Sequence, residues 1–232
     1  MPRTPFQIAD DLFELYGTLT EIVVKEDDRQ AAELAHSWYS RTWHTTKAAL
    51  LLHEQGFVTE AAPLRRSLIE HALALQWIGH SPGPAYDATV KAHQHAVGKF
   101  AEKPESGAAV PREVIEDFLS LELDGGREQA LLHIYDLCKK YGPPGAYTGW
   151  FLETGGSHAS WRSGEPYRKP RVTSDPAQDA MVVLWFALAT AGFSMLLVND
   201  PWVMAVEAVD RELGAEGGTL HELFQTNRRE DG

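Results

Sequence analysis

Residues 180–198 read AMVVLWFALATAGFSMLLV, a run of nineteen positions without a charged side chain. Asp175-Pro176 precedes the run, and an aspartate followed by proline is a typical helix start. A helix that is apolar on every side is either the buried centre of a soluble bundle or a membrane span. Small and polar residues dilute this run, and no other segment resembles a span. We therefore predict a central core helix over about 176–198 and no contact with a membrane.

The rest of the chain also carries helix signals. Thr4-Pro5-Phe6-Gln7 has the N-cap, first-turn proline and Gln of a capping box, and Gly56 is placed to end a long helix. Valine, isoleucine and threonine are scattered, without the apolar–polar alternation of strands beside tight turns. The sequence predicts an all-α, single-domain helical bundle over residues 1–213. A linker, a short C-terminal helix and a tail are expected over 214–232.

Composition excludes several classes of function. The 232 residues carry 21 Lys+Arg against 33 Asp+Glu, a net charge of −12, which disfavours a broad grip on nucleic acid. The single cysteine, Cys138, excludes a disulfide framework and a multi-thiolate zinc site. Glu33-x-x-His36 is one half of a di-iron motif whose second half is missing, so we expect no metal. We expect no cofactor, because phosphate-binding and dinucleotide motifs are absent, and a cytoplasmic location, because no signal peptide is evident.

The predicted third helix, over about 59–80, has two faces. At about 100° per residue one face is an apolar stripe and the other carries Arg66 and Glu70. A helix packed on both sides lies inside a protein, and a desolvated guanidinium there needs an anionic partner. Two interpretations stay open. Arg66 and Glu70 form a structural pair, or Arg66 holds an anion and Glu70 orients it.

A second candidate lies in the Gly/Ser/Pro-rich segment that follows. We expect Gly155-Gly156 to interrupt a helix near Thr154, which places His158 in an irregular loop. A histidine there can act as a general acid or base. Four cations follow it and form a local positive patch that suits an anion such as phosphate: Arg162, Arg168, Lys169 and Arg171. The alternative is an ordinary solvated loop.

Residues 56–70, GFVTEAAPLRRSLIE, resemble a bacterial family of uncharacterised helical proteins with the pattern Leu-x-Arg-Ser-Leu-x-Glu. Ser157-His158 matches that family's later Ser-His element. The family is distantly similar to the HEPN superfamily of helical bundles, which are often dimeric and include many ribonucleases. The resemblance implies a homodimer with RNA or a nucleotide as its ligand. It also implies an Arg and a His acting a few residues apart.

Arg66 and His71 have such a spacing, but on a continuous helix they point about 140° apart. His71 also falls within the apolar stripe, so we assign it to the core. We predict instead that His158 is the acid or base, Arg66 faces the phosphate and Glu70 orients Arg66. The alternative is a non-enzymatic helical module that binds a partner protein or an apolar small molecule. In that case Arg66 and Glu70 would form a structural pair, and His158 would have no convergent polar neighbours.

Overall fold

The computed structural model describes residues 4–18, 22–101, 113, 116, 133–158, 161–164, 167, 176–198 and 202, with backbone alone at 98–101 and 161–162. These residues form eight α-helices, a 3-10 turn at Glu26–Asp28 and one isolated β-bridge. The helices are α1 Pro5–Gly17, α2 Arg29–Glu54, α3 Ala62–His80, α4 Pro82–Ala101, α5 Ile134–Tyr141, α6 Ala146–Ser157, α7 Trp161–Gly164 and α8 Pro176–Ser194. The predicted all-α bundle is confirmed, and the predicted linker, helix and tail at 214–232 lie outside the described residues.

Helix α8 is the centre of the bundle. It packs against α3, α2 and α1, and every residue from Trp185 to Ser194 is buried. It is long and apolar enough to cross a membrane, but 67% of its apolar window is buried inside the protein. Neighbours on all sides explain why the helix carries no charge beyond its first turn. The predicted central apolar helix is therefore confirmed, although its helical part ends at Ser194.

Helices α3 and α8 cross at very close range. A Cβ added to Gly192 would lie 2.6 Å from the Gln76 nitrogen and 2.6 Å from the Leu75 carbonyl carbon. Only glycine permits that approach of two backbones. Near the crossing, the Gln76 side chain donates a 2.7 Å hydrogen bond to the Leu188 carbonyl. The crossing fixes the position of α3 along α8.

Helix α3 is buried on both sides because it lies between α8 and α2 and also contacts α6. Its buried residues include Arg65, Leu68, Ile69, Ala72, Leu73, Leu75, Gln76, Trp77 and Ile78. The strip facing α6 carries the two neighbouring arginines, Arg65 and Arg66. Those two side chains organise the candidate site.

Candidate functional site

Helix α6 carries His158 to the surface of α3. The helix continues through both glycines to Ser157, and His158 follows in an extended conformation, with φ −117° and ψ 156°. The predicted break near Thr154 is therefore wrong. A Cβ on Gly156 would lie only 3.0 Å from the Ala62 Cβ, so this glycine allows α6 to approach α3. His158 is positioned by a packed helix and not by a mobile loop.

Arg66 and His158 are in direct contact, although 92 residues separate them in sequence. Arg66 Nη1 donates to His158 Nε2 at 2.5 Å. A guanidinium can only donate, so Nε2 must be the acceptor and the ring proton sits on Nδ1. His158 is neutral in this arrangement, and its side chain is exposed to solvent. The contact brings together two candidate residues that were identified from separate segments of the sequence.

Glu70 and Trp150 complete the arrangement, and we call Arg66, Glu70, Trp150 and His158 the Arg66 cluster. Arg66 Nε and Trp150 Nε1 each donate to Glu70 Oε1 at 2.9 Å. The Arg66 guanidinium carbon lies 5.6 Å from the centre of the Trp150 ring, within cation–π range. Glu70 therefore orients both the arginine and the tryptophan. The Arg66 side chain is still 26% exposed, so the cluster is open to a ligand.

Aromatic side chains extend from the cluster along α6 and α5. Tyr147 stacks on Trp150 with ring centres 5.7 Å apart, and Tyr135 meets Tyr147 edge-on at 5.2 Å. Tyr135, Tyr147 and Phe151 are exposed, Phe151 by 58%. Exposed rings beside a guanidinium offer flat surfaces to a planar ligand such as a nucleobase.

Directly beside Arg66, Arg65 turns inward and forms a buried network that the sequence analysis missed. Its Nε and Nη2 lie 2.9 Å from the two carboxylate oxygens of Glu153 on α6. Its Nη1 donates to His53 Nε2 at 2.8 Å and to the Val58 carbonyl at 2.6 Å. His53 Nδ1 then donates to Asp179 Oδ1 at 2.6 Å. The network joins α2, α3, α6 and α8, and Arg65, His53 and Asp179 are all buried.

The Asp179–His53 pair has the geometry that orients a catalytic histidine, but His53 does not face a nucleophile. Its Nε2 accepts a hydrogen bond from Arg65, so both ring nitrogens are occupied. A guanidinium that contacts both oxygens of a carboxylate has a defined geometry, and removal of either partner would leave a buried charge uncompensated. The network therefore ties α2, α3, α6 and α8 together.

Comparison with known proteins places the chain in a family. One family model matches residues 32–169, more than half of the chain. The chain belongs to DUF5677, a family of unknown function. Searches of curated proteins and of solved structures find no match. The implied membership of an uncharacterised family is thus confirmed.

The region matched to DUF5677 includes the whole Arg66 cluster, together with Arg65, His53 and Glu153. Asp179 and the central helix α8 lie beyond it. The matched region therefore contains the whole Arg66 cluster, and α8 packs against α3 from outside that region.

The structure does not test the predicted cations that follow His158. Arg162 belongs to α7, but its side chain lies outside the described residues, as do Arg168, Lys169 and Arg171 entirely. Of the predicted anion-facing cations, the structure describes the side chain of Arg66 alone.

Two further titratable groups of the DUF5677 region, His71 and Cys138, are not part of the Arg66 cluster. His71 is half-buried, and its Nδ1 donates to the Ser67 carbonyl at 2.7 Å. Burial lowers the pKa of His71, which keeps the ring neutral near pH 7. Burial raises the pKa of the Cys138 thiol to about 11, which makes it a poor nucleophile. No group of three or more His, Cys, Asp or Glu residues in the described ranges is arranged to hold a metal ion.

Proposed function

We propose that the protein binds single-stranded RNA at the Arg66 cluster and cleaves it without a metal, with His158 transferring protons. The observation that carries this proposal is the 2.5 Å contact between Arg66 Nη1 and His158 Nε2. Cleavage of a phosphodiester needs a cation on the phosphate oxygens and a proton-transfer group within hydrogen-bond reach. The Arg66 cluster holds both at one exposed place.

The hydrogen bonds of Arg66 leave room for a phosphate. A guanidinium has five donor hydrogens, and Glu70 and His158 accept two of them. A phosphate that takes the Nη1 hydrogen would free the lone pair of His158 Nε2. That nitrogen can then accept the proton of a ribose 2′-hydroxyl while the 2′-oxygen attacks phosphorus. The bond to the 5′-oxygen breaks, the 5′-oxygen takes a proton from a water molecule, and the His158 imidazolium returns its proton to the hydroxide that remains. The products are a 2′,3′-cyclic phosphate and a 5′-hydroxyl.

The aromatic face supports RNA rather than a lone phosphate as the ligand. Trp150 and Tyr147 are stacked next to the cation, and base–aromatic stacking contributes about 1–3 kcal/mol per base. The net charge of −12 restricts the contact to a few phosphates, so we expect a shallow dependence of affinity on salt. The distant HEPN resemblance of residues 56–70 favours the same ligand class. From that resemblance we also infer a homodimer.

The test uses end-labelled single-stranded RNA in EDTA, with binding measured separately by fluorescence anisotropy. We expect His158→Ala to lose about 100-fold or more in cleavage rate while still binding, since proton transfer contributes about 10²–10⁴-fold. Arg66→Lys should lose both affinity and rate, because an ammonium cannot keep the geometry of the guanidinium.

Two matched variants control for surface effects. His95→Ala removes an exposed histidine from α4, and Arg29→Lys alters an exposed Arg–Glu pair with the same four-residue spacing as Arg66–Glu70. Both should behave as the wild type. Cleavage that survives in His158→Ala would remove His158 from the mechanism, and unchanged binding by Arg66→Lys would reject this site for RNA.

A further inference from the structure

A cavity of about 200 Å³ lies between α3, α6, α8 and the turn at 143–145. Its walls are mostly apolar: Leu68, Ile69, Ala146, Val182, Leu184 and Trp185. An apolar cavity of about 150 Å³ is known to hold a benzene ring. This space therefore suits a molecule slightly larger than benzene, of about seven to ten non-hydrogen atoms.

Arg65 and Glu153 form the polar part of the lining. Arg65 Nη1 donates one hydrogen to His53 Nε2 and the other to the Val58 carbonyl. Arg65 Nε donates its hydrogen to Glu153 Oε1. Nη2 contacts Glu153 Oε2, which leaves one Nη2 hydrogen without an acceptor among the described residues. Arg65 is only 7% exposed, so a polar group that enters the cavity is well placed to accept that hydrogen.

The charges of Arg65 and Glu153 determine which polar group of a ligand the cavity can accept. The guanidinium of Arg65 and the carboxylate of Glu153 face each other as an ion pair at this end of the cavity. A carboxylate ligand would be repelled by Glu153 and an ammonium group by Arg65, so the ion pair favours a neutral polar group. A hydroxyl both donates and accepts, so it can donate to Glu153 and accept from Arg65.

We propose that this cavity binds a small neutral molecule with an apolar body and one hydroxyl, of the size of phenol or p-cresol. The proposal does not rest on RNA cleavage, because the cavity is lined by Arg65, whose side chain leaves α3 about 100° away from that of Arg66. Ligands of this kind bind where apolar walls surround a few well-placed polar groups.

Gly149 supplies the variant that tests the location. It lines the cavity, and a Cβ added there meets no atom within 4 Å. Gly149→Ala and Gly149→Leu therefore place a small and a large apolar side chain at the wall of the cavity, and the Cβ of either meets no backbone atom. Both changes also favour the helical conformation of α6. Gly83→Ala, on α4 and away from the cavity lining, is the matched control because its Cβ also has open space.

The experiment titrates the full chain with p-cresol, toluene and p-toluate by calorimetry, and follows the melting temperature at saturating ligand. We expect saturable binding of p-cresol with a raised melting temperature, as for any ligand of the native state. Toluene should bind about tenfold or more weakly, and p-toluate should not bind. Gly149→Leu should lose p-cresol affinity by about tenfold or more, Gly149→Ala by less, and Gly83→Ala should match the wild type.

Three results would overturn the proposal. Absence of saturable p-cresol binding at millimolar concentration would show that the cavity takes no such ligand. Equal affinity for toluene would show that Arg65 and Glu153 do not recognise the hydroxyl. Unchanged p-cresol binding in a folded Gly149→Leu variant would place the ligand elsewhere. RNA cleavage is not a readout here, so failure of either proposal leaves the other standing.

Discussion

Replacement of each neighbouring arginine by methionine should separate the fold from the site. Arg65→Met leaves Glu153, His53 Nε2 and the Val58 carbonyl without their guanidinium partner. Removal of one partner from a buried ion pair costs about 3–5 kcal/mol of unfolding free energy. Arg66→Met breaks a partly exposed pair with Glu70, for which about 0–1 kcal/mol is typical. Methionine keeps most of the apolar stem of arginine, so lost packing contributes little to either value.

The assay is urea denaturation followed by far-UV circular dichroism, with a thermal melt as a second measurement. For a chain of this length 1 kcal/mol corresponds to about 2–4 °C, so Arg65→Met should lower the melting temperature by roughly 6–20 °C. Arg66→Met should lower it by no more than about 4 °C. The slope of the urea transition should be unchanged in both variants, which shows that stability itself has changed.

A double variant tests the cause of the Arg65 effect. Arg65→Met with Glu153→Met removes both members of the pair, so no uncompensated carboxylate is left in the network at that position. The double variant should therefore be more stable than Arg65→Met alone. Equal losses for Arg65→Met and Arg66→Met, or a double variant as unstable as the sum of its single changes, would refute the assignment of the buried network to stability.

Three further predictions concern stability and reactivity. Gly192→Ala should destabilise the protein by about 1–3 kcal/mol in urea denaturation, because the new Cβ would lie 2.6 Å from the Gln76 nitrogen, whereas Gly83→Ala should be near neutral. Burial raises the pKa of Cys138 to about 11, so the native thiol should react with DTNB at pH 8 much more slowly than in urea; equal rates would contradict its burial. Burial lowers the pKa of His71, so below about pH 6.5 the unfolded chain binds a proton that the native state resists, and the free energy of unfolding should fall as pH falls. His71→Gln should flatten that fall in urea denaturation between pH 7.5 and 5.5, and an unchanged slope would exclude His71 as its source.

The fold class could be predicted because the strongest signal in the sequence is a consequence of burial. A helix surrounded on all sides by other helices has no place for charge, so the uncharged run at 180–198 identifies the centre of the bundle. The two-faced pattern of α3 follows from the same cause, since α3 lies between α8 and α2. The ends of the helices depend on weaker local interactions. Helix α8 ends at Ser194, although the apolar run continues to Val198.

The site could be predicted only in part, because helical spacing reports local neighbours. Arg66 and Glu70 lie one turn apart, so their pairing was readable from the sequence. Gly155-Gly156 looked like a hinge, but Gly156 serves close packing against Ala62, and sequence alone does not distinguish these two uses of glycine. Arg65 gave no signal, because its partners on α2 and α6 are distant in sequence.

The two arginines also explain how a surface cluster can be held in place. Glu153 and His158 are five residues apart near the end of α6, and each is bound by one of the two adjacent arginines on α3. The buried Arg65–Glu153 contact fixes the rotation of α6 about its own axis, and that rotation determines where His158 emerges. Arg65 is therefore a positioning residue for the Arg66 cluster, although it touches no ligand there. An Arg65 variant that is fully folded at low temperature should still bind RNA less tightly, because His158 and Trp150 are carried by a helix that has lost its anchor.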